Sequence, residues 1–226
     1  MRPATLFAAL VLNVTTVAGA SVQPPLVAGT FYSSKPEVLR QMVQAYLDAA
    51  PTPDLGKQKV LGAVVPHASH LYSGAVAAHA YRQVAALKPK TIVILGISHY
   101  VLLEGAAVVT ADAYATPLGD IPIDTKLAKS IFRSSPLFQR DSGLITQEHS
   151  IEVQLPFLQV ALAGRPFKVV PIYVAAGDVQ QQEDMVAALL PIVRSENILV
   201  LASSDWSHDH SHAIRSFADL DPCTSL

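Results

Sequence analysis

The sequence predicts a single α/β domain of three layers, with helices on both faces of a mostly parallel sheet. Short apolar runs rich in β-branched residues alternate with helical patterns along the chain. Runs of this kind are typical of parallel strands that are covered on both faces. Half of the 226 residues are hydrophobic and only 15% are charged, which is enough apolar material for one large core. The alternation of strands with helices therefore favours a layered α/β domain.

The first twenty residues have the composition of a secretory signal peptide. Arg2 precedes a mostly apolar stretch, and Ala18-Gly19-Ala20 fits the small-residue cleavage pattern. We therefore expect residues 1–20 to be removed, residues 21–226 to form the domain, and the mature protein to be secreted or periplasmic. A leader without a targeting role would leave the protein in the cytoplasm. We expect no membrane span after cleavage, because no other stretch is long and apolar enough.

Helices are predicted from caps and from apolar residues at helical spacing. Ser34 and Glu37 form a capping box for the first helix, and Pro51 ends that helix. Pro156 lies inside the fourth helical pattern, where it should kink the helix or reset its start. The five predicted helices cover residues 35–49, 75–87, 124–133, 151–158 and 179–193.

Strands are predicted from the apolar runs, and loops from clusters of Pro, Gly and polar residues. The first two strands flank a helix, which suggests a right-handed parallel crossover. Residues 66–74 and 115–124 are predicted loops. The five predicted strands cover residues 60–65, 91–95, 105–109, 167–174 and 198–202.

Three of these strands are followed by histidine within a few residues. His67 follows the first strand, His99 the second, and Asp205 and His208 the last. Ligands of α/β sheets bind outside the carboxyl ends of the strands. Two histidines and a carboxylate can hold iron(II) with open positions, so His67 and His99 are candidate metal ligands. Asp205 and His208 are candidates for acid–base chemistry. The alternatives are loop histidines that only form hydrogen bonds and an Asp205 that caps a helix.

Other polar residues near these strand ends have weaker signals. Glu148 and His149 precede a helical pattern and are interpreted as an exposed helix-start pair, although they could also face the cleft. His70, three residues after His67, is a further candidate donor. The stretch Asp209-His210-Ser211-His212 can bind stray metal ions but is more typical of solvated surface.

Charge, cysteine content and motifs exclude several functional classes. The formal net charge is -2 and no basic stripe occurs, so nucleic-acid binding has no electrostatic support. Cys223 is the single cysteine, which rules out an internal disulfide and a cysteine-rich zinc site. The sequence contains no Gly-x-Ser-x-Gly elbow, no phosphate-binding Gly-Lys loop and no dinucleotide fingerprint.

Six segments resemble the Memo family, the proteins related to the mediator of ErbB2-driven cell motility and called AmmeMemoRadiSam system protein B in prokaryotes. The segments occur in the family's order between residues 27 and 208, and the run that begins at Glu148 is highly specific. They are Val27-Ala28-Gly29-Thr30-Phe31-Tyr32, Pro66-His67-Ala68 with Tyr72-Ser73-Gly74, Leu95-Gly96 with Ser98-His99-Tyr100, Ala115-Thr116-Pro117-Leu118-Gly119, Glu148-His149-Ser150-Ile151-Glu152-Val153-Gln154-Leu155-Pro156-Phe157, and Ser203-Ser204-Asp205 with Ser207-His208.

The resemblance implies a distant relationship to class III extradiol dioxygenases, the LigB-like enzymes that cleave catechol rings at non-haem iron. It implies His67 and His99 as metal ligands, iron(II) as the cofactor, and His208 as the acid/base with Asp205 beside it. The family's eukaryotic members are described as adaptors that recognise phosphotyrosine peptides and as redox-active metal binders. A small-molecule or peptide ligand is therefore expected in the histidine cleft.

The sequence departs from the family pattern in three places. Ser69 and His70 stand where the family usually has Gly and Tyr, and Ile97 stands where Pro or a similar residue is usual. Cys223 does not match the family's later Cys-Gly motif, which provides the third metal-site residue. We therefore expect the domain to lack the family's C-terminal segment. A non-catalytic binding module and a degenerate relative are the alternatives to an iron-dependent oxidoreductase.

Overall fold

The computed structural model describes residues 20–51, 60–141, 147–175, 177–194 and 197–206. The predicted signal peptide, His208 and Cys223 thus fall outside the described residues, apart from Ala20. Within these ranges, no helix is both long and apolar enough to cross a bilayer. The helices are α1 (Pro36–Ala49), α2 (His70–Leu87), α3 (Thr125–Ser134), α4 (Leu155–Ala161) and α5 (Val179–Val193). The strands are β1 (Val22–Gln23), β2 (Gly62–Val65), β3 (Thr91–Ile97), β4 (Ala106–Val108), β5 (Ala113–Thr116), β6 (Gly119–Pro122), β7 (Phe138–Arg140), β8 (Lys168–Val174) and β9 (Ile198–Ser203).

The central sheet has six strands in the order β2-β9-β3-β8-β4-β7. Its pairs are parallel except for β4 with β8, which is antiparallel. A smaller sheet has the order β1-β5-β6. The prediction of one α/β domain with a mostly parallel sheet is therefore confirmed.

Helices cover both faces of the central sheet and define two hydrophobic cores. Side chains alternate along a strand, so Ile92 and Ile94 pack on one face of β3 and Val93 on the other. The first core joins Ile92 and Ile94 to buried residues of α1, α2 and α4. The second core joins Val93 to buried residues of α3 and α5. This arrangement is the predicted three-layer sandwich, and it leaves the strand ends free to carry a site.

Helix α2 begins at His70, five residues earlier than predicted, because Gly74 belongs to the helix and not to a loop. A Cβ atom at Gly74 would lie 2.7 Å from the ring of Tyr46 on α1. The glycine is therefore needed for close packing of two helices, and this need is invisible in the sequence of α2 alone.

Other boundaries differ from the predictions for local reasons. The prediction of a capping box at Ser34 is wrong, because Lys35 is the N-cap of α1 and its side chain forms no capping hydrogen bond. The predicted loop over residues 115–124 contains most of a hairpin, in which β5 pairs with β6 across a turn at Pro117 and Leu118. Gly119, the first residue of β6, has a φ of +115°. Pro156 does reset a helix start, since a 3₁₀ turn at Glu152–Gln154 precedes α4.

Glu152 fastens the N-terminal segment to the domain core. Its side chain is buried, and its carboxylate accepts hydrogen bonds from the backbone N–H groups of Leu26 (2.7 Å) and Val27 (3.0 Å). The hydroxyl of Tyr32 donates a third bond at 2.5 Å. Burial raises the pKa of Glu152, and these donors oppose the rise. A buried carboxylate needs such donors, so the segment and the carboxylate stabilise each other.

Replacing Glu152 by Gln should lower the free energy of unfolding by about 2–3 kcal/mol, because an amide cannot accept from all three buried donors. Urea denaturation at neutral pH measures this loss. Glu183→Gln is the matched control, because Glu183 is exposed on α5 and its loss should cost less than about 0.5 kcal/mol. Equal stability of the two variants would contradict the role of Glu152.

Candidate metal centre at the strand ends

The sheet order brings three of the four predicted site residues to one edge; the fourth, His208, lies outside the described residues. Strand β9 lies between β2 and β3 and is parallel to both. The three strands therefore end side by side, with His67 beyond β2, His99 beyond β3 and Asp205 beyond β9. Residues that are up to 138 positions apart in sequence meet at this edge.

His67 is held by the end of β9. Its Nδ1 lies 3.1 Å from the hydroxyl of Ser203, and its side chain is 4% exposed. The carboxylate of Asp205 accepts hydrogen bonds from the backbone N–H groups of His67 (2.5 Å) and Ala68 (3.2 Å). The second Asp205 oxygen lies 3.9 Å from His67 Nε2. Asp205 thus fixes the loop that carries His67 and also faces its ring.

His99 is held by Glu148. The backbone N–H of His99 donates to this carboxylate at 2.6 Å, and His99 Nδ1 lies 3.0 and 3.1 Å from its two oxygens. The backbone N–H groups of His149 and Ser150 donate to the same carboxylate at 2.8 Å each. Because Nδ1 of His99 is engaged by a carboxylate, its Nε2 is the nitrogen left for another ligand.

The segment that contains Glu148 and His149 approaches β3 at Gly96. A Cβ atom there would lie 2.5 Å from Ile151 and 2.6 Å from the hydroxyl of Ser150, so only glycine permits this approach. The Ser150 hydroxyl donates to the carbonyl of Ile97 at 2.8 Å. Phe31 of the N-terminal segment also contacts this segment, with its ring 4.3 Å from that of His149.

Three imidazole rings therefore form one cluster. The ring centroids of His67 and His99 are 5.2 Å apart and those of His67 and His149 are 5.8 Å apart, both at nearly right angles. The rings of His99 and His149 are nearly parallel at 4.9 Å. Side-chain exposure is 31% for His99 and 11% for His149, so a ligand from solvent reaches the cluster past His99.

Burial sets the charge state of the cluster. Burial lowers the pKa of His67 and of His149, and the nearby carboxylates of Asp205 and Glu148 oppose this shift without cancelling it. Burial raises the pKa of Glu148, but the hydrogen bonds from His99 and Ser150 outweigh burial and the pKa is lowered overall. At neutral pH the site therefore combines uncharged imidazoles at His67 and His149 with an ionised Glu148, which is the state that metal binding requires.

The donor set fits a divalent transition metal. Ligand atoms of His99, Glu148 and His149 lie within 4.8 Å of one another, so this group could hold an ion. Imidazole nitrogen together with carboxylate oxygen suits zinc, copper and iron. Glu148 already accepts hydrogen bonds from four N–H groups, and it would have to give some of them up to bind an ion. It is therefore better suited to orient His99 than to act as a metal ligand.

Two predictions for individual residues are wrong. Glu148 and His149 are 1% and 9% exposed, so they are not an exposed helix-start pair but part of the cluster. His70 is not a donor to the cluster, because its Nε2 lies 2.8 Å from the carbonyl of Val153 and its ring packs against Phe157. The sequence signal that could have placed His149 in the site is the Glu-His-Ser motif, because this motif is more specific than the residue pattern of a helix start. His208 and the 209–212 stretch lie outside the described residues.

The fold and the site define a class: an α/β/α domain with a histidine–carboxylate cluster at its strand ends. Residues 23–219 match the family model described as "Memo-like protein". A MEMO1 family protein of Methanopyrus kandleri is 38% identical over 198 residues, which are 83% of this chain and 69% of the relative. The MEMO1 family protein of Aquifex aeolicus is 35% identical, and the match spans 83% of this chain and 67% of the relative. The MEMO1 family protein of Nitrosopumilus maritimus is 30% identical, and the match spans 83% of this chain and 69% of the relative.

The chain belongs to the Memo family. The resemblance that the sequence motifs indicated is thereby confirmed. The match of residues 23–219 includes each of the strand ends that form the cluster.

The buried histidines should make the stability of the metal-free protein depend on pH. The pKa values of His67, His70 and His149 are lowered by burial, whereas an unfolded chain takes up protons at histidine near pH 6.5. Below that pH the unfolded state binds more protons, so the free energy of unfolding falls as pH decreases, by up to about 1.4 kcal/mol per pH unit for each histidine. Above about pH 7 this loss is absent.

Urea denaturation between pH 7.5 and 5.5 with a chelator present measures this dependence. His149→Gln should reduce the slope by up to one proton, whereas His79→Gln should leave it unchanged, because His79 is exposed on α2. A slope that is the same in wild type and His149→Gln would show that His149 is not buried as a neutral ring.

Proposed function

We propose that this Memo family protein binds a divalent transition-metal ion, iron(II) in the functional state, with His67 and His99 as ligands. The observation that supports this most is the pair of rings at 5.2 Å and nearly 90°, each with Nδ1 beside a protein oxygen. With Nδ1 engaged by a protein oxygen, each ring has its Nε2 left for an ion. Bound iron(II) would supply open coordination positions for oxygen and a catecholate, as in extradiol dioxygenases.

His149 is our candidate for a third nitrogen donor. It lies within the same cluster, and burial keeps it neutral. Two imidazoles alone hold an ion poorly, because water must fill the remaining positions. Among the described residues, the ligand atoms of His149, His99 and Glu148 lie within 4.8 Å of one another, a group that does not include His67. His149 is therefore the nitrogen donor nearest to His99.

The remaining side chains of the site have roles in proton handling and orientation. Asp205 lies 3.9 Å from His67 Nε2 and fixes the His67 loop through two backbone N–H groups. His208 follows Asp205 by three residues, and we propose it as the acid/base that moves a substrate proton. Phe31 packs against the His149 ring at 4.3 Å and contributes to its burial.

A second candidate function is binding of an aromatic ligand or peptide without turnover. Tyr100 supports it, since this large side chain lies beside the cluster and is 62% exposed; Trp206, which follows Asp205 in the chain, is 53% exposed. The Tyr100 ring lies 6.1 and 6.4 Å from the rings of His99 and His149. Exposed aromatic side chains beside a polar pocket are typical of ligand recognition.

Metal content tests the site. The chelator-treated protein, reconstituted with iron(II) without oxygen, should retain one bound ion per chain, and the double variant His67→Ala/His99→Ala should lose it because its two main ligands are gone. Elemental analysis after gel filtration gives the measurement, and His79→Ala is the control for loss of a surface histidine. Equal metal in wild type and double variant would place binding elsewhere, for example in the 209–212 stretch.

Oxygen uptake separates the enzyme from the binding module. An iron-dependent dioxygenase should consume oxygen with at least one member of a catechol panel, only with iron(II) present, and His67→Ala should abolish this uptake. An iron-loaded wild type that consumes no oxygen with any catechol would support ligand binding without turnover. The His79→Ala control should behave as wild type in both cases.

A further inference from the structure

A buried hydroxyl next to the cluster has three hydrogen-bond partners at once. Ser203 Oγ lies 2.6 Å from the carbonyl oxygen of Ser150, 2.8 Å from Nε2 of Gln154 and 3.1 Å from Nδ1 of His67. Ser203 is 5% exposed and Gln154 is 1% exposed. A serine hydroxyl has one proton to donate and two lone pairs to accept with. The direction of each of the three bonds can therefore be determined by accounting for protons.

The orientation of the Gln154 amide fixes the first direction. Its Nε2 atom lies 2.8 Å from the carbonyl of Pro66, which can only accept, so the NH₂ group must be on that side. Its Oε1 atom accepts from the hydroxyl of Tyr81 at 2.7 Å. The second N–H of Gln154 then donates to Ser203, and one lone pair of the hydroxyl is used.

The remaining two bonds follow from this. The carbonyl of Ser150 can only accept, so the single proton of Ser203 points to it. The hydroxyl is left with one lone pair, and this lone pair faces His67 Nδ1. The Ser203 hydroxyl has no proton left to donate to His67. The proton in this hydrogen bond must therefore reside on Nδ1 of His67.

We infer that Ser203 is a positioning residue that holds His67 in the Nδ1–H tautomer and so leaves the Nε2 lone pair free toward the cluster. Asp205 works against this, because its carboxylate 3.9 Å from Nε2 favours a proton on Nε2. The Ser203 network decides between the two tautomers. The inference deepens the proposed function and rests on it where it concerns metal affinity, because an ion that binds Nε2 needs this tautomer in advance.

Histidine side-chain nitrogen NMR tests the tautomer directly in the metal-free protein. Long-range proton–nitrogen correlation of ¹⁵N-histidine protein at pH 7.5 distinguishes a protonated from an unprotonated ring nitrogen, and His67→Gln identifies the His67 signals. The wild type should show a protonated Nδ1 and an unprotonated Nε2. Ser203→Ala should raise the population with a protonated Nε2 and weaken iron(II) binding by about 10- to 100-fold.

Two further variants separate positioning from folding. Ser73→Ala removes another buried hydroxyl near His67, one that donates to the carbonyl of Ala68 and not to the ring, so it should keep the wild-type tautomer. Ser203→Thr keeps a hydroxyl and should restore both the Nδ1–H signal and the affinity. If Ser203→Ala fails to fold, the wild-type and Ser203→Thr spectra still show which nitrogen of His67 carries the proton.

A wild-type spectrum with the proton on His67 Nε2 would overturn the inference, and so would a folded Ser203→Ala variant that keeps the wild-type tautomer. Failure of the proposed function gives a different result. The wild type would then show the Nδ1–H tautomer and its loss in Ser203→Ala, while iron(II) fails to bind to either protein.

Discussion

The carboxylate of Glu148 is the interaction on which the arrangement of the site depends. It accepts the backbone N–H groups of His99, His149 and Ser150 together with the Nδ1–H of His99. One buried charge thus joins the end of β3 to a segment almost 50 residues further along the chain. A carboxylate with this many donors stays ionised despite burial, and its hydrogen bonds place two imidazole rings side by side.

A second buried carboxylate, Glu152, extends the same principle to the N-terminal segment. It binds two backbone N–H groups and the hydroxyl of Tyr32, and this places Phe31 against the ring of His149. Glu148 and Glu152 belong to one motif, and Gln154 of that motif supports Ser203 and the loop before His67. The motif therefore carries the hydrogen bonds that assemble the site from four other parts of the chain: the N-terminal segment, the loop at His67, the end of β3 and the end of β9.

The strand pattern and the positions of His67 and His99 could be predicted because each depends on local sequence. A β-branched run forms a strand wherever it is covered, and the residue after it lies at the sheet edge. The roles of Glu148 and His149 could not be predicted in this way. Their meeting with His99 requires Gly96, which has no side chain to block Ser150 and Ile151, and this requirement links residues more than 50 positions apart.

The sequence by itself determined the fold class, the family and the strand ends at which histidines occur, because periodicity and motifs are properties of neighbouring residues. The tertiary structure decided that His149 belongs to the cluster, that His70 does not, and which nitrogen of His67 is free. These three outcomes depend on burial and on hydrogen-bond partners from other elements. A side chain acquires such partners only when the sheet and helices have brought distant segments together.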